Sequence, residues 1–243
     1  MTSRSKATGN KKNPSYVIAS NRPWNREMVQ SLAQKTGHSF VLISKPAELT
    51  EANLHSINPR LVFFPHWSHH INSSIFTQFE CVIFHSTDLP FGRGGSPIQN
   101  LIARGINETM ITALRCVEEM DAGPIYLKKP LSLYGSAEEI FLRASSIIES
   151  MIVEMLEKST KPEPQEGKVV VFGRRKPEQS TLVSAQTLEQ AFNHIRMLDA
   201  EGYPSAFVEY GPFTFEFTRA SIKTDHVLAD VRISLTKDTK KQS

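Results

Sequence analysis

The sequence predicts an α/β fold: a doubly wound, mostly parallel sheet followed by a smaller C-terminal domain of α+β composition. Three observations carry this. Up to residue 157, short apolar runs alternate with helical stretches, the order that crossover connections in a parallel sheet require. Residues 158–168, KSTKPEPQEGK, combine two prolines and a glycine with charges and read as an exposed linker. Beyond it, one amphipathic helix precedes three runs with the alternation of half-buried strands. The expected partition is a disordered tail over 1–14, a main domain over 15–157, the linker, a small domain over 169–235 and a tail over 236–243.

Each element has a local reason. Residues 16–20 are a short apolar strand, and Asn25 is placed to cap a helix over 26–36 that ends at Gly37. Residues 39–44 and 61–64 are the next strands, with Thr50 capping a short helix between them. Cys81, Val82, Ile83 and Phe84 form an uninterrupted apolar run, as expected of a strand covered on both faces. Pro90, Gly92, Gly94, Gly95 and Pro97 then impose a loop, and Ser96, Pro97 and Gln99 have the spacing of a capping box that starts a helix. Strands over 110–117 and 125–127 flank a loop carrying Asp121. Ser136 and Glu139 open a long helix whose stripe of Ile140, Ala144, Ile147, Ile148, Met151, Ile152 and Met155 is core. In the C-terminal part, Thr187 and Gln190 frame a helix, and residues 206–210, 213–220 and 226–231 are strands.

The chain has 243 residues, 40% of them apolar and 14 of them phenylalanine, enough for a substantial core and a smaller companion. No apolar run approaches the roughly 20 residues of a membrane span, and the first residues, MTSRSKATGNKKNP, lack a hydrophobic segment, so a soluble, cytoplasmic protein with no membrane partner is expected. Cys81 and Cys116, the only cysteines, sit in apolar stretches and read as buried thiols. The net charge is +3, with the basic excess largely in the tails. No basic face is apparent inside the folded part, which argues against a nucleic-acid partner.

The most informative stretch is FHSTDLPFGRGGSPIQNLI, from Phe84, followed by EEMDAGPI. His85 stands where a buried strand ends and a crevice can open. His85 followed by Asp88-Leu89-Pro90, then Arg93-Gly94, Ser96-Pro97-Ile98-Gln99 and Asp121-Ala122-Gly123, resembles the formyltransferase family that uses N10-formyltetrahydrofolate. Arg174 to Glu178, Ile195 to Leu198 and Gly202 to Phe207 resemble signatures of the C-terminal domain that several members carry. The resemblance implies a Rossmann-like catalytic core, an OB-like C-terminal domain, N10-formyltetrahydrofolate as formyl donor and no metal. Within the family, CVIFHSTDLPFGRGGSPIQNLI and RMLDAEGYP look closest to the sugar N-formyltransferases of pseudaminic-acid biosynthesis. The expected acceptor is therefore the amine of a UDP-linked 4-amino-4,6-dideoxy sugar. Methionyl-tRNA, glycinamide ribonucleotide and a noncatalytic folate- or nucleotide-sugar-binding role are the alternatives, and a homodimer stays open.

Formyl transfer needs a polarised carbonyl, a place for negative charge on its oxygen and a route for the amine proton. The resemblance gives these roles to His85 and Asp121, 36 residues apart as the family spaces them. The family places an asparagine two residues before the histidine, and this chain has Ile83 there. The lost donor is typically worth ~3 kcal/mol in an oxyanion site. His66, Trp67 and Ser68, at the end of the preceding strand, are the candidates to replace it or to contact the acceptor. Phe91, Gly92, Arg93 and Gly94 are expected along the folate, although Arg93 also suits a role holding its own loop. Asn21, Arg22 and Trp24 are expected to meet the nucleotide sugar. Three histidines at 66, 69 and 70 suggest a metal, but no cysteine or carboxylate accompanies them at ligand spacing.

Overall fold

The computed structural model describes residues 15–236, so the two predicted tails lie outside the described residues except for Thr236. The described residues divide into two compact units, 15–83 and 84–236.

The first unit alternates strands and helices: β1 (Ser15–Ala19), α1 (Asn25–Thr36), β2 (Ser39–Ile43), α2 (Glu51–Ile57), β3 (Val62–Phe64), α3 (Ser73–Phe76) and β4 (Cys81–His85), whose last two residues pass into the second unit. The pairings β1–β2, β1–β3 and β3–β4 are all parallel, giving the order β2-β1-β3-β4. Val17, Ile18, Val62, Phe63 and Val82 are fully buried on these strands, and Leu32 and Leu54 from the helices join them. Thr50 caps α2 by accepting from the Asn53 N–H, and Gly37 ends α1 in the left-handed conformation (φ 68°). Asn25 departs from expectation. It lies inside α1, where its side-chain amide donates to the Ser20 hydroxyl at 2.6 Å, so a buried tertiary bond takes the side chain that sequence alone assigns to the cap.

The second unit begins with β5 (Phe91–Gly94), α4 (Pro97–Ile102), β6 (Glu108–Arg115), β7 (Ile125–Ser132) and α5 (Ala137–Lys158). β6 and β7 pair antiparallel, and α5 packs against both. The predicted capping box is formed: Ser136 accepts from the Glu139 N–H, and the Glu139 carboxylate accepts from the Ser136 N–H. The box predicted at Ser96 is not. Ser96 is left-handed (φ 50°) and its hydroxyl accepts from the Arg175 N–H, while Gln99 is buried and donates to the Met197 carbonyl. Both side chains find partners more than 75 residues away, which no local pattern reveals.

After α5 come β8 (Val170–Phe172), α6 (Leu188–Arg196), β9 (Ala206–Tyr210), β10 (Phe213–Ile222) and β11 (Val227–Leu235). β8 pairs in parallel with β5, turning the glycine-rich loop into a short strand. Gly94 permits this: its φ is 105°, and a side chain there would run into the Phe172 carbonyl. β9, β10 and β11 form an antiparallel meander in the order β11-β10-β9, with α6 against β10, so the expected α+β composition is present with a three-stranded sheet as its β part. Arg196, buried on α6, donates to the Leu133 and Gly135 carbonyls and fastens this helix to the turn before α5. Among the described residues no helix is long and apolar enough to cross a membrane.

Candidate functional site

His85 is the last residue of β4 and is buried. Its Nε2 lies 2.8 Å from the Gly92 carbonyl, which only accepts, so this nitrogen carries a proton. Thr87 Oγ1 donates to the same carbonyl, and Thr112 Oγ1 donates to the Thr87 carbonyl, fixing the turn that follows the strand. The other ring nitrogen, Nδ1, faces Asp121 Oδ2 at 3.6 Å. That separation exceeds a hydrogen bond. The two groups point at one another yet neither is consumed by the other.

Asp121 reaches this position through an unusual backbone. Its φ is +54°, left-handed, a conformation that costs a residue other than glycine about 1 kcal/mol but is best tolerated by Asp and Asn. Its Oδ2 accepts from the Gly94 N–H at 2.8 Å, joining the aspartate loop to β5. Two residues on, Gly123 passes so close to the Arg115 carbonyl that any Cβ would collide with it, so the tight return from β6 to β7 needs this glycine.

The reading of Arg93 as a loop-holding residue is what the geometry supports. Nη1 pairs with Glu119 at 2.9 Å, and Nε and Nη2 both donate to Gln165 Oε1 at 3.1 and 2.8 Å. Gln165 is the contact of this site that sequence reasoning missed. It lies in the segment read as a linker, and its Nε2 donates to the carbonyls of Asp121 (2.7 Å) and Gly123 (2.9 Å). Phe91 packs edge-on against Phe172. Asp88 pairs with Lys128 at 2.5 Å on the surface, in keeping with a structural role. A cleft of about 630 Å³ in the same unit is lined by Asp88, Phe91, Leu101, Met110, Arg143 and Ile147 among others, and neither His85 nor Asp121 lines it.

Cys116 follows β6. Burial first, then the charges of Asp121 and Glu118, push its thiol up to about 11. It is half-buried rather than fully buried as Cys81 is, and at neutral pH it is a thiol, not a thiolate.

The remaining candidates gather in the first unit, after the ends of β1 and β3. Arg22 lies over the Trp24 ring (5.7 Å), Trp24 meets His66 edge-on (6.3 Å), and Trp67 packs against Phe64 and His69. Asn21 approaches His69 at 3.5 Å, and Ser68 is exposed. His66 is left-handed (φ 53°), and its crowded setting, aided by the Arg22 cation, lowers its pKa to about 4, so the ring is neutral near pH 7. The Trp67 indole N–H is buried without a hydrogen-bond partner among the described residues. Among the described residues, no group of three or more His, Cys, Asp or Glu is placed to hold a metal ion.

Comparison with known proteins follows the fold. The family model of the methionyl-tRNA formyltransferase C-terminal domain matches residues 177–234. A solved structure described as methionyl-tRNA formyltransferase from Clostridium thermocellum is 47% identical, with a TM-score of 0.89, over 92% of this chain and 100% of that one. The methionyl-tRNA formyltransferase of Lactobacillus acidophilus is 32% identical over 148 residues, 58% of this chain and 46% of that protein. The chain thus spans less than half the length of that curated relative. A sugar N-formyltransferase from Shewanella sp. FDAARGOS_354 shares the fold, with a TM-score of 0.62 over 80% of this chain and 92% of that one, at only 17% identity.

These findings overturn the sugar acceptor. The UDP-amino sugar, the pseudaminic-acid pathway and the nucleotide-sugar role of Asn21, Arg22 and Trp24 rested on short motifs, whereas 47% identity over 92% of the chain lies with a protein described as methionyl-tRNA formyltransferase, and the Lactobacillus acidophilus relative, matched over 58% of the chain, carries the same name. The expectation of no nucleic-acid partner is corrected by the same likeness to proteins named for methionyl-tRNA. Charges distant in sequence meet in the fold: exposed Arg104 lies over the Phe172 ring at 4.4 Å, Asn100 donates to the Gly173 carbonyl, and exposed Arg174 and Lys176 follow directly. A linear scan sees Arg104 and the run Arg174-Arg175-Lys176 far apart; the fold sets Arg104 against Phe172, two residues before that run.

Proposed function

Because this chain belongs to the formyltransferase family, we propose that it is a cytoplasmic enzyme that moves a formyl group from N10-formyltetrahydrofolate to the methionyl amine of methionyl-tRNA. The observation that carries the reaction is the His85–Asp121 pair, both side chains largely buried and facing at 3.6 Å. The acceptor rests on the 47% identity to a protein named for it.

The donor set fits an acyl transfer to an amine. N10-formyltetrahydrofolate supplies the formyl carbon as an electrophile. With Nε2–H bound to Gly92, His85 in its doubly protonated form has an Nδ1–H left to donate to the formyl oxygen as charge develops there. Ile83 brings no amide, so this N–H bears more of that task than a histidine paired with asparagine. Asp121, held by the Gly94 N–H, takes the proton that leaves the attacking amine; as the tetrahedral adduct collapses, the bond between the formyl carbon and N10 breaks and N10 leaves as the amine of tetrahydrofolate, taking up that proton. Phe91 to Gly94 would lie along the folate, backbone outward, since the Arg93 side chain is spent on Glu119 and Gln165. Asn21, Arg22, Trp24, His66, Trp67 and Ser68 are assigned to the acceptor's end, supported by the unsatisfied indole N–H of Trp67. Arg104, Arg174 and Lys176 suit the transfer-RNA backbone.

The test is direct. Purified protein, formyl donor and methionyl-tRNA should yield formylmethionyl-tRNA, read by the mass of the released amino acid, at a rate that falls steeply as salt rises. Methionyl-tRNA that gains no formyl group under these conditions would sink the reading.

A further inference from the structure

Gln165 stands in a segment with no regular structure, yet it makes four hydrogen bonds, all to the loops that carry the candidate chemistry. Its Oε1 accepts twice from Arg93, and its Nε2 donates to the carbonyls on either side of Ala122. A solvated linker glutamine would not be so occupied. The segment is stitched at other points too: Glu163 exchanges both backbone hydrogen bonds with Ile125, and the Val170 N–H donates to the Pro90 carbonyl.

We propose that Gln165 is a positioning residue for Asp121. The proposal rests on the formyl-transfer role given to Asp121 above. The left-handed backbone of Asp121 is strained, and such a conformation persists only where the surroundings over-determine it. The Gln165 amide grips the carbonyls at 121 and 123, while its oxygen holds Arg93, next to the Gly94 N–H that binds the aspartate carboxylate. One side chain therefore ties the backbone of Asp121 to the strand that orients its carboxylate toward His85. Loss of that tie lets the left-handed turn relax and moves the carboxylate, which harms turnover while leaving substrate binding intact.

Two variants separate the halves of the clamp. Gln165→Glu keeps an acceptor for Arg93 but loses the donation to both carbonyls; Gln165→Met loses both. The full chain is assayed with N10-formyltetrahydrofolate and methionyl-tRNA. Expected is a fall in kcat of about tenfold in both variants with KM within about twofold of the parent, the scale of a slightly misplaced catalytic group. In an Asp121→Asn background, Gln165→Met should add no more than about a twofold loss, because both act through one carboxylate. A second readout needs no turnover. Burial first and then the Asp121 charge hold up the Cys116 pKa, so Gln165→Met should speed iodoacetamide alkylation of Cys116 at pH 9, as Asp121→Asn should, with buried Cys81 as the control. Turnover of Gln165→Glu within twofold of the parent, or losses that multiply in the Asp121→Asn background, would overturn the proposal. If the parent formylates nothing, the functional reading fails by itself, and the Cys116 rates decide the positioning role: a faster rate supports it and an unchanged one refutes it.

Discussion

The two groups of candidate residues differ in how finished they are. Around His85 and Asp121 the polar interactions are short and specific: 2.8 Å from imidazole to Gly92, 2.8 Å from the Gly94 N–H to the carboxylate, 2.7 and 2.9 Å from Gln165 to the aspartate loop. Around Trp24, His66 and Trp67 rings meet rings at 5.3 to 6.3 Å, with one long 3.5 Å approach and a buried indole N–H without a partner among the described residues. A preorganised catalytic pair must be oriented before substrate arrives, since reorientation during the reaction raises the barrier. A binding surface gains from donors left unsatisfied, because the ligand then completes them. The proposed reaction accordingly gives the first group the chemistry and the second the recognition.

The largest expected effect breaks the first group. His85→Asn and Asp121→Asn should each lower kcat by about a thousandfold while the proteins stay folded, as judged by unchanged circular dichroism. A loss confined to KM would move these residues into the recognition class. Next are the basic residues assigned to the transfer-RNA backbone. Replacing Arg104, Arg174 and Lys176 by Ala together should weaken methionyl-tRNA binding about tenfold or more and flatten its salt dependence by roughly one unit of slope for each phosphate no longer neutralised. Binding that keeps its salt slope would remove these residues from the interface.

Trp67 sharpens the comparison from the other side. Trp67→Phe deletes an unsatisfied buried donor and should leave stability equal or higher by ~1 kcal/mol, while raising KM for methionyl-tRNA about fivefold with kcat unchanged. Thermal melts and steady-state rates check the two halves. His66 adds a pH dependence. Its folded pKa, about 4, lies below the free value of 6.5, so below pH 6.5 the unfolded chain binds a proton that the folded one refuses. The stability this ring allows is therefore complete above pH 6.5 and declines as pH falls toward 4, by ~2 kcal/mol given the ring's partial exposure. His66→Asn, which suits the left-handed backbone, should lessen that decline in urea titrations at pH 4.5 against pH 7.

Much of the fold is legible because its causes are local. The apolar run ending at His85, the Ser136–Glu139 box and the Thr187–Gln190 cap act within a turn or a strand, and each forms as read. What escaped is whatever depends on a distant partner. Asn25 is drawn from its cap by Ser20 and Ser96 by Arg175; β5 exists only because β8 lies beside it; Gln165 has no local signature because both ends of its amide answer to loops more than 40 residues away. That His85 and Asp121 meet is anticipated by their motif, whereas the acceptor is not. Motifs near the reacting atoms report the shared chemistry, and acceptor choice is spread over surface that no short pattern encodes.

Single-turnover transfer tests the central claim most directly. Parent, His85→Asn and Asp121→Asn are each saturated with N10-formyltetrahydrofolate and methionyl-tRNA, and formylmethionyl-tRNA is followed in time. The account predicts rapid product with the parent and a rate about a thousandfold slower in either variant despite retained substrate binding. Comparable rates in all three proteins would contradict it.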